Sequence, residues 1–269
     1  MKANSLTFEY EGAKVHYLFY KGGAENLLCF HGYGQQANVF EPLAERLSDS
    51  YSLYSFDLFF HGQSFWPDCE RPVSTTFMAN MIGSFIKLKG ISKVNLCGYS
   101  LGGKIMLSLT EKISENIQTL LLIAPDGIKT NFWYSMATYP YWMRGLFRYT
   151  IRNPKSYFKL SKGLYKVGIL DKGVVRFATK QMDTESKRKK VYCTWLTYRK
   201  LSPNVNKLAK KINKRNIKVK VYLGVYDKII TEGSVLPFSK RLDNCEITTL
   251  MRGHNTLIRD VAYCKERII

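Results

Sequence analysis

A serine, a histidine and an acid can together cleave an acyl bond, and this chain of 269 residues carries all three where chain order lets them meet. A serine hydroxyl at its free pKa is a weak nucleophile. It needs a base within hydrogen-bond reach and a third group to orient that base. Ser100 lies in Gly98-Tyr99-Ser100-Leu101-Gly102, after the apolar run Lys93–Cys97 and before the helix-compatible stretch Lys104–Leu109. Strand, tight turn, helix is the setting in which Gly-x-Ser-x-Gly presents a nucleophilic serine. Glycines two positions to either side remove side chains that would clash with so sharp a turn. The helix that follows aims free N–H groups at the serine, where an oxyanion would form.

The base follows by elimination. Of the four histidines, His16 lies within an expected strand, and His31 and His61 each precede a glycine in a turn, where they hold loops together by hydrogen bonds. His254 follows the last expected strand and is the remaining candidate base. Three carboxylates stand at strand ends. Asp227 is placed to hold the His254 tautomer and stabilise its imidazolium. Asp126 competes for that role or caps the next helix, and Asp57 suits a turn-stabilising role. An oxyanion hole needs two preorganised donors, for which the backbones of Leu101 and Tyr33 are the candidates. His31 and Gly32 of the same turn, Tyr99 of the elbow and Trp133 further along are the expected substrate contacts.

These residues need a scaffold, and the apolar runs supply one. Residues 5–10 and 14–20 read as an antiparallel pair across Glu11-Gly12. Strands are expected at 26–30, 51–56, 93–97, 117–123, 218–224 and 246–250, with helices at 38–47, 75–88, from 104 onward and at the C-terminus. Strands alternating with helices imply a parallel sheet with right-handed crossovers. In such sheets chemistry gathers at the carboxyl ends of the strands, where His31, Asp57, Ser100, Asp126, Asp227 and His254 all fall. The rhythm stops between 128 and 216 and then resumes. The expected division is therefore a core of 1–127 and 217–269, with 128–216 inserted as a basic, aromatic-rich helical cap.

The pattern His31-Gly32-Tyr33-Gly34, Asp57-x-x-x-His61-Gly62-x-Ser64, Gly98-x-Ser100-x-Gly102-Gly103, a late Asp227 and Gly253-His254 resembles the α/β-hydrolase fold family, whose members include esterases, carbon–carbon bond hydrolases and epoxide hydrolases. The nucleophile-acid-histidine order is the same. The resemblance covers 1–127 and 217–269 and implies a mostly parallel sheet of about eight strands flanked by helices. It also implies a serine hydrolase of carboxylic esters or thioesters working through an acyl-enzyme. Serine at the elbow, rather than the aspartate of epoxide hydrolases, favours acyl transfer to water. One departure is Phe59-Phe60, where that family often carries Pro-Gly.

Charge bears on the partner. The formal net charge is +20. Between Ile128 and Asn216, 22 lysines and arginines face three acids (Asp171, Asp183, Glu185), a net of +19, so the rest of the chain is close to neutral. Aromatic residues among those cations suit an apolar acyl group joined to an anionic carrier. They also suit a lipase or lysophospholipase at an anionic membrane surface, or a non-enzymatic binding protein that holds an acidic partner. No nucleic-acid motif accompanies the charge, and nucleic acid ranks last. A hydrophobic content of 45% fits a folded globular chain. No apolar stretch reaches the roughly 18 residues of a membrane span, and no signal-peptide pattern opens the chain. The six cysteines are scattered without a Cys-x-x-Cys pair, which favours a reduced, cytoplasmic setting. No cofactor or metal is expected.

Overall fold

Alternating side chains and a two-residue turn start the fold. Asn4–Tyr10 (β1) and Ala13–Tyr20 (β2) pair antiparallel with Tyr10 opposite Ala13. Glu11 and Gly12 both take positive φ, 44° and 79°, the backbone that matches the twist of a hairpin. This computed structural model describes residues 2–129, 132–153, 155, 158, 159, 163, 165, 179, 181–264, 268 and 269.

Six further strands are Glu25–Phe30 (β3), Tyr51–Phe56 (β4), Val94–Tyr99 (β5), Ile117–Ile123 (β6), Lys218–Gly224 (β7) and Cys245–Leu250 (β8). They form one eight-stranded sheet in the order β1-β2-β4-β3-β5-β6-β7-β8, parallel from β4 to β8. The central strands are apolar on both sides because helices cover both faces. These helices include Glu41–Leu47 (α1), Thr75–Leu88 (α2) and Leu101–Ile113 (α3). Phe85 of α2 packs edge-on against Tyr17, Tyr54 and Phe56. In α3, Ile105, Met106, Leu107 and Leu109 are all fully buried. The order of the parallel strands reverses at β3–β5, the position in open α/β sheets where a crevice opens at the carboxyl ends.

The chain divides into two compact units. The first holds Met1–Pro67, Ser74–Lys129 and Leu201–Ile269; the second holds Asp68–Val73 and Thr130–Lys200. The first boundary falls at Lys129, two residues beyond the expected 127, and the division differs from expectation more widely at two places. Residues 201–216 belong to the sheet-bearing unit because Val205–Lys214 (α7) buries Leu208, Ala209 and Ile212 there, and Lys211 Nζ donates to the Glu111 carbonyl at 2.6 Å. Asp68–Val73, in turn, joins the second unit. Within that unit the helices are Phe132–Thr138 (α4), Tyr141–Arg152 (α5) and Glu185–Tyr198 (α6). The Asp68–Val73 segment ties to α6 through Val73 N to Thr197 O and Thr197 Oγ1 to Cys69 O. Glu70 pairs with Arg148 of α5 and accepts from the Tyr192 hydroxyl.

Two short helices complete the first unit, Glu232–Ser239 (α8) and Leu257–Ala262 (α9). Among the described residues no helix is long and apolar enough to cross a membrane.

Candidate active site

The serine turn is built by steric exclusion. Ser100 takes φ 50° and ψ −117° between β5 and α3, a backbone that costs about 1–3 kcal/mol and persists only where surroundings enforce it. Here its N–H donates to Ile123 O at 3.0 Å, and its carbonyl accepts from Gly103 N at 2.8 Å and Asp126 N at 2.9 Å. The flanking glycines serve close approach, not positive φ. A Cβ on Gly98 would lie 2.7 Å from the Gly102 oxygen, and one on Gly102 would overlap the Phe30 carbonyl.

The candidate base and acid arrive from the far side of the sheet. Asp227 follows β7 and His254 follows β8. Ser100 Oγ lies 3.0 Å from His254 Nε2, and His254 Nδ1 lies 2.6 Å from Asp227 Oδ2. Asp227 is buried, and its Oδ1 accepts from the N–H groups of Ile229 and Ile230 at 2.8 and 2.9 Å. Both oxygens therefore act as acceptors, so Nδ1 carries the imidazole proton and Nε2 is left to accept from the serine. Asp126, the competing acid, accepts instead from Gly127 N at 2.7 Å. It also faces buried Lys104, whose pKa burial lowers and Asp126 partly restores.

The turn after β3 lies against the serine: a Cβ on Gly32 would sit 3.2 Å from Ser100 Cβ and 2.7 Å from the Tyr99 ring. Gly32 N donates to Gln35 Oε1, Gln35 N to Gly32 O, and Gly34 N to His61 Nε2. Of the N–H groups from Gly32 to Gln35, that of Tyr33 is the one left without a partner among the described residues. The Leu101 N–H, opening α3, is likewise unengaged there. The Tyr33 hydroxyl is buried with no hydrogen-bond partner among the described residues, and burial raises its pKa.

Three of the expected substrate contacts are occupied inside the protein. His31 is fully buried, its Nδ1–H donating to Gly32 O at 2.7 Å and its Nε2 accepting from Leu58 N at 3.1 Å, so it shapes the turn. The Gly32 N–H is held by Gln35. Tyr99, also buried, donates its hydroxyl to the His254 carbonyl at 2.6 Å and packs its ring on the imidazole. Burial first, and the Asp227 charge second, raise its pKa. The Trp133 side chain lies outside the described residues. The role of Tyr99 had no sequence signal, because its partner is 155 residues away.

The Phe59-Phe60 departure also finds its place. Phe60 adopts φ 65°, the left-handed backbone that glycine takes freely and other residues take at about 1–2 kcal/mol. Among the described residues no cluster of His, Cys, Asp or Glu suits a metal.

The chain matches the α/β hydrolase fold family over residues 25–260. It is similar to the dihydrolipoyllysine-residue acetyltransferase component of the acetoin cleaving system of Cupriavidus necator, 30% identical over 119 residues, covering 44% of this chain and 31% of that protein. It is also similar to pimeloyl-(acyl-carrier protein) methyl ester esterase of Nitrosomonas europaea, 32% identical over 103 residues, covering 38% of each. The aligned stretch thus spans about a third of the length of these curated relatives. Among solved structures, a thermophilic esterase from Thermogutta terrifontis has the same fold, with a TM-score of 0.66 at 15% identity over 97% of this chain and 94% of that one. Sheet order, elbow and the match over most of the length agree, and the chain belongs to the α/β-hydrolase fold family.

Proposed function

We propose that this protein is a serine hydrolase that cleaves a carboxylic ester or thioester through an acyl-enzyme on Ser100. The observation that carries the reading is the unbroken relay from Ser100 Oγ through His254 to buried Asp227, set on a strained elbow. His254 Nε2 takes the serine proton as Oγ attacks the carbonyl carbon, and Asp227 stabilises the imidazolium. The developing oxyanion takes the N–H groups of Leu101 and Tyr33, which have no partner among the described residues. The imidazolium returns its proton to the departing alcohol or thiol. Water, activated by the same imidazole, then releases the acid. The buried Tyr33 hydroxyl gives a bound substrate a polar partner, relieving a desolvation cost of about 1–3 kcal/mol.

An acidic carrier is the partner favoured for the leaving group. The second unit holds 17 lysines and arginines against five acids, and one relative is named as an esterase of an acyl-carrier-bound ester. The test is turnover of p-nitrophenyl esters of graded chain length and of acyl-carrier thioesters. Ser100→Ala abolishes it, a loss of about 10⁶-fold in kcat. Turnover surviving in that variant, or none on any ester or thioester, overturns the reading.

One observation favours a second reading, a substrate drawn from an anionic lipid surface. Helix α5 turns Tyr141, Trp142, Leu146 and Tyr149 to solvent, with Trp142 68% exposed, on a unit of strongly positive charge. Aromatic side chains and cations together suit a headgroup layer. Sedimentation with phosphatidylglycerol vesicles, and not with phosphatidylcholine vesicles, is then expected, weakened about tenfold in Trp142→Ala. Equal binding to both lipids overturns it.

A further inference from the structure

A second hydroxyl–imidazole–carboxylate relay stands at the edge of the sheet. Ser5 Oγ of β1 lies 2.8 Å from His16 Nε2, and His16 Nδ1 lies 2.7 Å from Asp57 Oδ2. Asp57, just past β4, is buried and accepts from Ala37 N at 2.7 Å and Gln63 N at 2.9 Å. A Cβ on Gly62 would overlap its carboxylate, so the glycine lets Gln63 N reach it. With both Asp57 oxygens accepting, the His16 proton sits on Nδ1, and Nε2 has only its lone pair to offer Ser5. Ser5 therefore donates to the imidazole, as a nucleophile does to its general base. The ring is fixed from its own backbone, since His16 N donates to Ser64 Oγ and His16 O accepts from Asp57 N.

Register selects which hydroxyl is engaged. Thr7 sits directly opposite His16, whereas Ser5 sits opposite Leu18 on the same face, and it is Ser5 that meets the ring. Ser5 is exposed while His16 and Asp57 are buried. An exposed serine thus leans on a buried imidazole whose orienting acid is hydrogen-bonded at both oxygens.

We propose that Ser5 is a second nucleophile, a site of self-acylation by activated acyl donors such as aryl esters. Ser5 Oγ attacks the carbonyl carbon as its proton passes to His16 Nε2. The bond to the leaving oxygen breaks, and the departing aryloxide takes that proton, leaving an ester on Ser5. Ser5 lies inside a regular strand, without an elbow or a helix start beside it, so the acyl group stays on rather than turning over. This inference goes beyond the hydrolase reading and does not depend on it.

The experiment uses the full chain as Ser100→Ala, treated with p-nitrophenyl acetate. Adducts are mapped by peptide mass spectrometry, and hydroxylamine separates ester adducts from lysine amides. Ser5 is expected to acetylate at least about 100-fold faster than Thr7, the measure of a general base. Folded His16→Gln is expected to bring Ser5 down to the Thr7 rate. The Ser5-to-Thr7 ratio decides the matter even where His16→Gln does not fold. Equal rates at the two hydroxyls, or an unchanged Ser5 rate in folded His16→Gln, overturn the proposal. Labelling of Ser100 in the unsubstituted chain is scored separately and tests the hydrolase reading alone.

Discussion

At Ser100 and at Ser5 the side-chain geometry is nearly the same. Hydroxyl to imidazole is 3.0 and 2.8 Å, and imidazole to carboxylate is 2.6 and 2.7 Å. Each carboxylate is buried and accepts two backbone N–H bonds. What differs is the backbone. Ser100 stands at φ 50° where β5 becomes α3, beside a glycine turn with an N–H unengaged among the described residues. Ser5 stands in a plain edge strand. The two relays share their three side-chain types and differ in the backbone donors that would stabilise the charge following attack.

That contrast can be broken or sharpened at three points. Asp227→Asn keeps the elbow and removes only the orienting charge. Turnover of a p-nitrophenyl ester should fall about 10⁴-fold with the fold retained by circular dichroism. A loss under tenfold would mean the elbow works without its acid. Gly32→Ala keeps the relay and moves the turn, because the new methyl presses on the Tyr99 ring and Ser100. It should lower kcat about 100-fold with KM much less affected, and an unchanged kcat would remove the Tyr33 N–H from the oxyanion site. Tyr99→Phe touches neither relay atoms nor donors. It deletes the hydroxyl that anchors the His254 carbonyl, and should lower kcat by no more than about tenfold and Tm by about 2–4 °C. A larger kcat loss at constant Tm would make that anchor part of the catalytic geometry.

Most of the candidate site's geometry was legible because its signals are local. Gly98, Ser100 and Gly102 report a steric requirement within five residues, and Asp227 and His254 each follow a readable strand. The strands fall within one or two residues of expectation, since continuous apolar runs mark a sheet covered on both faces. What escaped reading depends on long-range partners. His16 and Asp57 read as a strand residue and a turn residue, and only the β1–β2 register and the β2–β4 pairing bring them to Ser5. His31 and Tyr99 lie next to the candidate site in sequence and in space, yet their polar atoms bind their own protein. The basic segment read as one block. Its last helix, α7, carries an apolar face that the first unit buries, so the charge is shared between units.

The Asp68–Val73 segment has a consequence for biosynthesis. It is translated early, between β4 and α2, yet its partners Tyr192, Thr197 and Arg199 lie 122, 128 and 129 residues downstream. On the ribosome, that segment can pair with Arg148 of α5 but lacks its α6 partners until α6 has cleared the exit tunnel, so the second unit closes late even though its first residues appear early. A nascent chain halted before Tyr192 would lack the α6 partners of that segment, and a protease or a chaperone would find it less protected there.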